Sequence, residues 1–132
     1  MKKYKKAIIL GGSKGIGKTI SLKLKKNCRE VISCSRKLID TSDLNSVKNF
    51  LKKHKSTDIL VLNTGGPPNI EINKIDEKTW YKYFNQLFLS YFFLLQNIKV
   101  KKNGYIFYIS SSIIKEPGDT LIISSTLRPA MS

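Results

Sequence analysis

The apolar positions of this chain switch between unbroken runs and a helical spacing, and the switches mark its elements. Residues 7–10 are continuously apolar, as in a strand covered on both faces of a parallel sheet. Ile16, Ile20 and Leu24 then recur every fourth position, with Lys18, Lys23, Lys25 and Lys26 largely on the other side. That spacing predicts a helix over 15–27. A second strand is predicted over 31–35, running into Arg36 and Lys37, and Leu38, Ile39 and Asp40 predict a minimal third. Ser42 or Asp43 has the chemistry of an N-cap for a helix reaching about residue 54, with Leu44, Val47, Phe50 and Leu51 inward. The next strand, over 58–63, breaks where Gly65, Gly66, Pro67 and Pro68 mark a loop. A long helix is predicted over 77–98, a turn at Asn103 and Gly104, and a fifth strand over 105–109. The tail becomes helical from Ser124. Strands alternating with helices predict one α/β domain over 1–132, a doubly wound parallel sheet. Right-handed crossovers give it the strand order 3-2-1-4-5 and place a ligand beyond the C-terminal ends of the first and fourth strands.

The stretch 8–19 carries the chemistry. An apolar strand enters a glycine-rich turn that opens a helix, so backbone N–H groups can approach a phosphate at the helix N-terminus. Two motifs overlap there. Gly12, Gly17, Lys18 and Thr19 satisfy the P-loop pattern, and Gly11, Gly15 and Gly17 form a dinucleotide-type loop. A P-loop enzyme also needs an acid at the end of a second strand to hold Mg²⁺. The candidate strands end in Asn63 and Ser110 instead.

Net charge is +15, from 24 Lys and Arg against 9 Asp and Glu, which fits a polyanionic partner. The lysines, however, are spread along the chain and only three basic residues are arginine, so no nucleic-acid interface is expected. Cys28 and Cys34 form no CxxC pair and read as buried thiols of a reducing cytoplasm. His54 is the only histidine, so no metal site is expected. The most apolar stretch, 87–95, is interrupted by Ser90 and falls short of the ~20 residues that span a bilayer. The opening residues are not those of a signal peptide. No membrane partner is therefore expected.

The glycine stretch, with Leu10 in place of Thr, resembles the TGxxxGIG loop of the short-chain dehydrogenase/reductase family. Asp40-Thr41-Ser42-Asp43 resembles the family's D-x-[ST]-D element. Residues 58–65 are similar to its DILVNNAG strand, with Leu62 and Thr64 as departures. Trp80, Ser90 and Phe92 match its central helix, and Ile109-Ser110-Ser111 matches the ISS that ends its fifth strand. The resemblance covers nearly the whole chain but only the family's N-terminal half to two-thirds. It implies a Rossmann-type sheet whose C-terminal strands and substrate-covering segment are missing. The fifth strand is then left at an edge, and an apolar edge predicts a homo-oligomer.

By this resemblance Gly11, Ser13, Gly15, Ile16 and Gly17 hold pyrophosphate and ribose, Asp40 reaches the adenine, and Asn63 and Gly65 form the floor under the adenosine ribose. NAD-selecting enzymes place an acid after the second strand. Ser35 stands there, followed by Arg36, and with Lys14 this makes NADP the expected cofactor and NAD the alternative. The reaction implied is hydride transfer between nicotinamide and a small carbonyl or alcohol substrate. Ser111 matches the serine that polarises the carbonyl. Ser124 and Arg128 occupy the positions of the family's Tyr and Lys, and Leu87 that of its Asn. An aliphatic hydroxyl is far less acidic than a phenol, and arginine does not relay protons. Ser124 also suits a helix N-cap. Slow turnover is the expectation, beside two alternatives: a catalytically silent dinucleotide-binding or oligomerising module, and a phosphate binder acting through residues 12–19.

Overall fold

The computed structural model describes residues 1–116 and 118–132. Its strands β1 (Tyr4–Ile9), β2 (Cys28–Ser33), β3 (Ser56–Leu62) and β4 (Lys99–Tyr108) form one sheet in the order β2-β1-β3-β4. All pairs are parallel. Helix α1 (Gly15–Leu24) covers one face, where Ile20 and Leu24 pack on Ala7, Ile9, Cys28, Ile59 and Val61. Helix α2 (Leu44–Lys53) lies on the other face, with Val47, Phe50 and Leu51 on Ile8, Leu10, Leu60 and Leu62. The continuous apolar runs of β1 and β3 are thus buried on both sides. Asp43 is the N-cap of α2, its carboxylate accepting from the Asn45 N–H at 2.9 Å.

The doubly wound order is the expected one with its outermost strand left out. Residues 38–40 form no strand. The N–H groups of Leu38 and Ile39 both donate to the Ser35 carbonyl, at 3.0 and 3.1 Å, and close a turn. Asp40 N–H donates to Ser46 Oγ at 2.9 Å, which uses a backbone group that a ladder would need. At the other edge β4 starts earlier than the apolar run suggested. Val100 pairs with Thr57 and Tyr105 with Ile59, so the residues between Val100 and Tyr105 bulge out opposite Asp58. The expected turn residues sit in that bulge. Asn103 has φ 68°, and Gly104 lies so close to the Asp58 carbonyl that a Cβ would overlap it.

The helix expected over 77–98 is interrupted. It runs as α3 (Glu77–Phe84), one π-helical turn over Asn85–Leu89, and α4 (Ser90–Asn97). The Gln86 carbonyl in the widened turn accepts from Ser90 Oγ at 3.2 Å. Tyr83 and Leu87, on the upstream half, pack with Ile123 of helix α5 (Ile122–Leu127), while Tyr91 and Leu94 pack on the sheet. Ser124 is not an N-cap: it is the third residue of α5 and buried.

His54 follows α2 and stacks on Phe50, ring centroids 4.2 Å apart, with Nδ1 buried and unpartnered among the described residues. Burial lowers its pKa from 6.5, Lys6 and Lys53 add to that, and Glu30 opposes it. The fold therefore favours the neutral ring. Its contribution to stability is complete above the ordinary value of 6.5 and is lost as pH falls through the lowered folded value. Urea midpoints at about pH 7.5 and about pH 5 should show a decline on acidification that His54→Phe reduces. An equal decline in the variant would assign the acid sensitivity to other groups.

Candidate functional site

The sheet places three strand ends together, and the glycine loop bridges them. Leu10 N–H donates to the Val61 carbonyl and Gly12 N–H to the Cys34 carbonyl, at 3.0 and 2.9 Å, so the loop leaves β1 tied to both neighbours. Gly11 and Gly15 have φ of +59° and +58°, the left-handed region where only glycine is unstrained. Two serines fix the loop from below. Ser33 Oγ donates to the Gly12 carbonyl at 2.6 Å, Ser21 Oγ to the Gly17 carbonyl at 2.9 Å, and the two hydroxyls lie 3.0 Å apart. Gly17 lets α1 touch the strand end: a Cβ there would overlap the Gly11 carbonyl.

Beyond the strand ends lies a cavity of about 770 Å³. It is lined by every cofactor residue implied by the sequence except Gly17: Gly11, Ser13, Lys14, Gly15, Ile16, Ser35, Arg36, Asp40, Asn63 and Gly65. Gly17 packs behind the loop. Asn63 Nδ2 donates to the Gly11 carbonyl at 3.4 Å and ties the end of β3 to the loop. Asp40 accepts from the N–H and Oγ of Ser42, at 3.0 and 2.7 Å, so one carboxylate oxygen is held in a local turn. A Cβ built on Gly15 meets nothing within 4 Å, which leaves that side of the loop open to a ligand. Lys14, Arg36 and Lys37 make the lining cationic.

Sequence reasoning missed several lining residues. Thr41 and Thr64 face each other, their hydroxyls 3.4 Å apart. Gln86 comes from the π-turn, and its Nε2 donates to the Gly65 carbonyl at 2.8 Å. Thr64 stands inside the motif quoted for β3 and was within reach of the same reading. Gln86 had no signal, because a regular helix gives no reason to single it out.

The residues implied for catalysis lie outside that lining. Ser111 is exposed, with its Oγ 3.4 Å from the Ile113 N–H that donates to it. Ser124 Oγ accepts from Arg128 Nε at 2.8 Å, so those two side chains are brought together with each other. The Arg128 guanidinium also lies beside Gly66, 3.5 Å from where a Cβ would stand. Tyr91 is buried nearby; burial pushes its phenol up, Tyr108 adds to that and Arg128 opposes it. Tyr108 is in edge contact with Tyr91 at 6.0 Å, in the core, and Tyr105 lies half exposed on the other face of the strand. The P-loop residues do not reach the cavity. Lys18 is exposed on α1, and Thr19 Oγ1 donates back to the Gly15 carbonyl at 3.3 Å. Burial pushes the Cys34 thiol up to about 12, so it is inert, and Cys28 is likewise raised. No group of metal-ligating side chains occurs among the described residues, and no helix there is long and apolar enough to cross a membrane.

A doubly wound parallel sheet with a glycine loop at the reversal of strand order defines a dinucleotide-binding type of α/β fold. Comparison with solved structures narrows the fold to that of the short-chain dehydrogenases/reductases. The angucycline C-6 ketoreductase LanV with bound NADP superposes with a TM-score of 0.84 at 16% identity, over 96% of this chain and 63% of that one. A short chain dehydrogenase from Burkholderia cenocepacia J2315 in complex with NADP gives 0.81 at 17%, over 96% and 64%. A small-chain dehydrogenase in complex with NADPH gives 0.81 at 18%, over 97% and 60%. This chain thus spans less than two-thirds of the length of each. No family model and no curated protein matches the sequence.

Proposed function

We propose that this chain is an NADP-binding member of the short-chain dehydrogenase/reductase family that works in a reducing cytoplasm and turns over a small carbonyl or alcohol substrate slowly. The supporting observation is the cavity at the strand ends, where the glycine loop, Asp40, Asn63 and Gly65 share one lining with Lys14 and Arg36. The lining fits a dinucleotide: Gly15 leaves open space where a Cβ would stand, and the lining includes the cations Lys14, Arg36 and Lys37. Backbone N–H groups of the loop at the start of α1 would hold the pyrophosphate. Arg36 would pair with a 2′-phosphate, helped by Lys14 and Lys37, since guanidinium recognises phosphate through two parallel bonds. Bound NADPH supplies the hydride.

The chain's own contribution to chemistry is small on this reading. Ser111 would polarise the substrate carbonyl, and Ser124 and Arg128 stand at the proton-handling positions. Their mutual bond holds Arg128 in place without creating an acid near neutrality. General acid catalysis contributes about 10²–10⁴-fold, and its loss sets the expected slowness. The second reading, a catalytically silent dinucleotide module, is favoured by the placement of all three residues outside the cavity lining.

Titration of the purified chain with NADPH, NADH and ATP-Mg²⁺ tests the binding reading, which expects NADPH to bind best without Mg²⁺. Preference for ATP-Mg²⁺ would return the glycine loop to phosphate binding of the P-loop kind. Steady-state NADPH oxidation with small ketones and quinones should be slow and weakened further by Ser111→Ala. Rapid Ser111-dependent turnover would reveal a proton donor elsewhere. No turnover with NADPH bound would favour the silent module.

A further inference from the structure

We propose that Gln86 reads the base of the bound dinucleotide, its side-chain oxygen accepting from the exocyclic 6-amino group of adenine; this rests on the dinucleotide reading above. Gln86 comes from the π-helical turn Asn85–Leu89 and is only 5% exposed, yet it lines the cavity. Its Nε2 donates to the Gly65 carbonyl at 2.8 Å. A carbonyl oxygen only accepts, so this contact fixes which end of the amide is nitrogen. Oε1 is the end left over, and it has no partner among the described residues. A nearly buried acceptor without a partner is costly, and a donor on a ligand in the cavity would satisfy it.

The place of Gln86 in the lining selects that donor. The hydroxyls of Thr41 and Thr64 lie 3.4 Å apart, and Gly65 follows Thr64. Asp40, Thr41, Thr64, Gly65 and Gln86 therefore form one polar seam, which joins the segment after β2 to the end of β3 and to the π-turn. None of these residues is cationic, so the seam suits an uncharged part of the dinucleotide rather than a phosphate. A Cβ on Gly65 would meet nothing within 4 Å, which leaves room for a flat ring against the backbone. Asp40 uses only Oδ1 in its turn with Ser42, so Oδ2 is a second acceptor without a partner among the described residues. Two acceptors on one seam match an amino group, which carries two N–H bonds, better than a sugar hydroxyl, which carries one. Glutamine is also a side chain whose amide pairs with the 6-amino edge of adenine in base recognition. Hypoxanthine has a carbonyl oxygen at that position, which would face Oε1 acceptor to acceptor.

Calorimetric titration of the purified chain with NADPH and with its hypoxanthine counterpart tests the proposal, because the two ligands differ only at position 6 of the base. NADPH should bind about tenfold or more tightly than the hypoxanthine form. Gln86→Met keeps the length of the side chain without the amide, and should cut that preference to about threefold or less. Gln86→Glu keeps an acceptor and should retain most of it. General loosening of the Gly65 loop weakens both ligands alike and leaves the ratio within each variant unchanged. Circular dichroism reports whether the variants are folded, and the ratio for the unaltered chain decides even if they are not. A ratio near one in the unaltered chain overturns the proposal while leaving the dinucleotide reading intact. So does a preference that survives in Gln86→Met, or one lost equally in Gln86→Met and Gln86→Glu. Failure of the unaltered chain to bind either ligand overturns the dinucleotide reading and this inference with it.

Discussion

Gly17→Val is expected to leave little folded protein. A Cβ at Gly17 would overlap the Gly11 carbonyl and stand 2.8 Å from Asn63 Nδ2. The main obstacle is backbone, so no rotamer change relieves it. Gly11 cannot retreat freely either, because it occupies a left-handed conformation and a Cβ on Gly11 itself would lie 2.8 Å from that same Asn63 nitrogen. Overpacking of a close contact costs roughly 1–3 kcal/mol where side chains give way, and more where backbone must move. A loss of about 3 kcal/mol or more is a large part of the roughly 5–15 kcal/mol that stabilises a domain. Urea denaturation followed by circular dichroism should show a strongly lowered midpoint or no cooperative transition. Gly15→Val is the contrast, since its Cβ meets no atoms and only the positive φ opposes it. A Gly17→Val midpoint equal to that of the parent would mean that α1 does not press on the loop as described.

Arg36→Ala is expected to separate the two nicotinamide cofactors. Arg36 follows Ser35 beyond the end of β2, in the lining that also holds Lys14 and Lys37. Charge-assisted bonds to a phosphate contribute about 1.5–3 kcal/mol each. NADPH affinity should therefore fall about 10- to 150-fold by calorimetry, while NADH affinity changes little. The selectivity lost should be greater in the double variant with Lys14→Ala. Equal losses for NADPH and NADH would place Arg36 in general loop structure and leave 2′-phosphate recognition to other residues.

The sequence carried the sheet, because β1 and β3 are buried on both faces and their apolar runs have no other reading. It also carried the part of the cavity lining that comes from the glycine loop, the strand-end Asn63 and Ser35 and Arg36 after β2, since these are set by local spacing, but not Gln86, which the π-turn brings in. Its failures have physical causes. Residues 38–40 look like a strand by composition, but the Ser35 carbonyl captures two successive N–H groups there. Ser124 looks like a cap because Thr126, Leu127 and Arg128 follow it. The helix starts two residues earlier through Ile122 and Ile123, with Ile123 drawn into the contact with Tyr83 and Leu87. The bulge in β4 was half legible: Asn103 and Gly104 announced a turn, but nothing local said that strand pairing resumes on both sides of it.

The π-turn at Asn85–Leu89 amounts to one residue inserted into an otherwise continuous helix. Each residue of a helix advances the direction of its side chain by about 100°, so the insertion puts the two halves out of phase by that angle. A single helical rod thereby serves two audiences: Tyr83 and Leu87 address α5, and Tyr91, Leu94 and Ile98 address the sheet. Gln86 sits at the seam, its amide holding the Gly65 carbonyl. Position in this helix and position along the cavity floor are therefore coupled by residue count. A one-residue deletion within 85–89 would restore an even helical repeat yet swing the upstream face away from α5 and release the loop that Gln86 anchors.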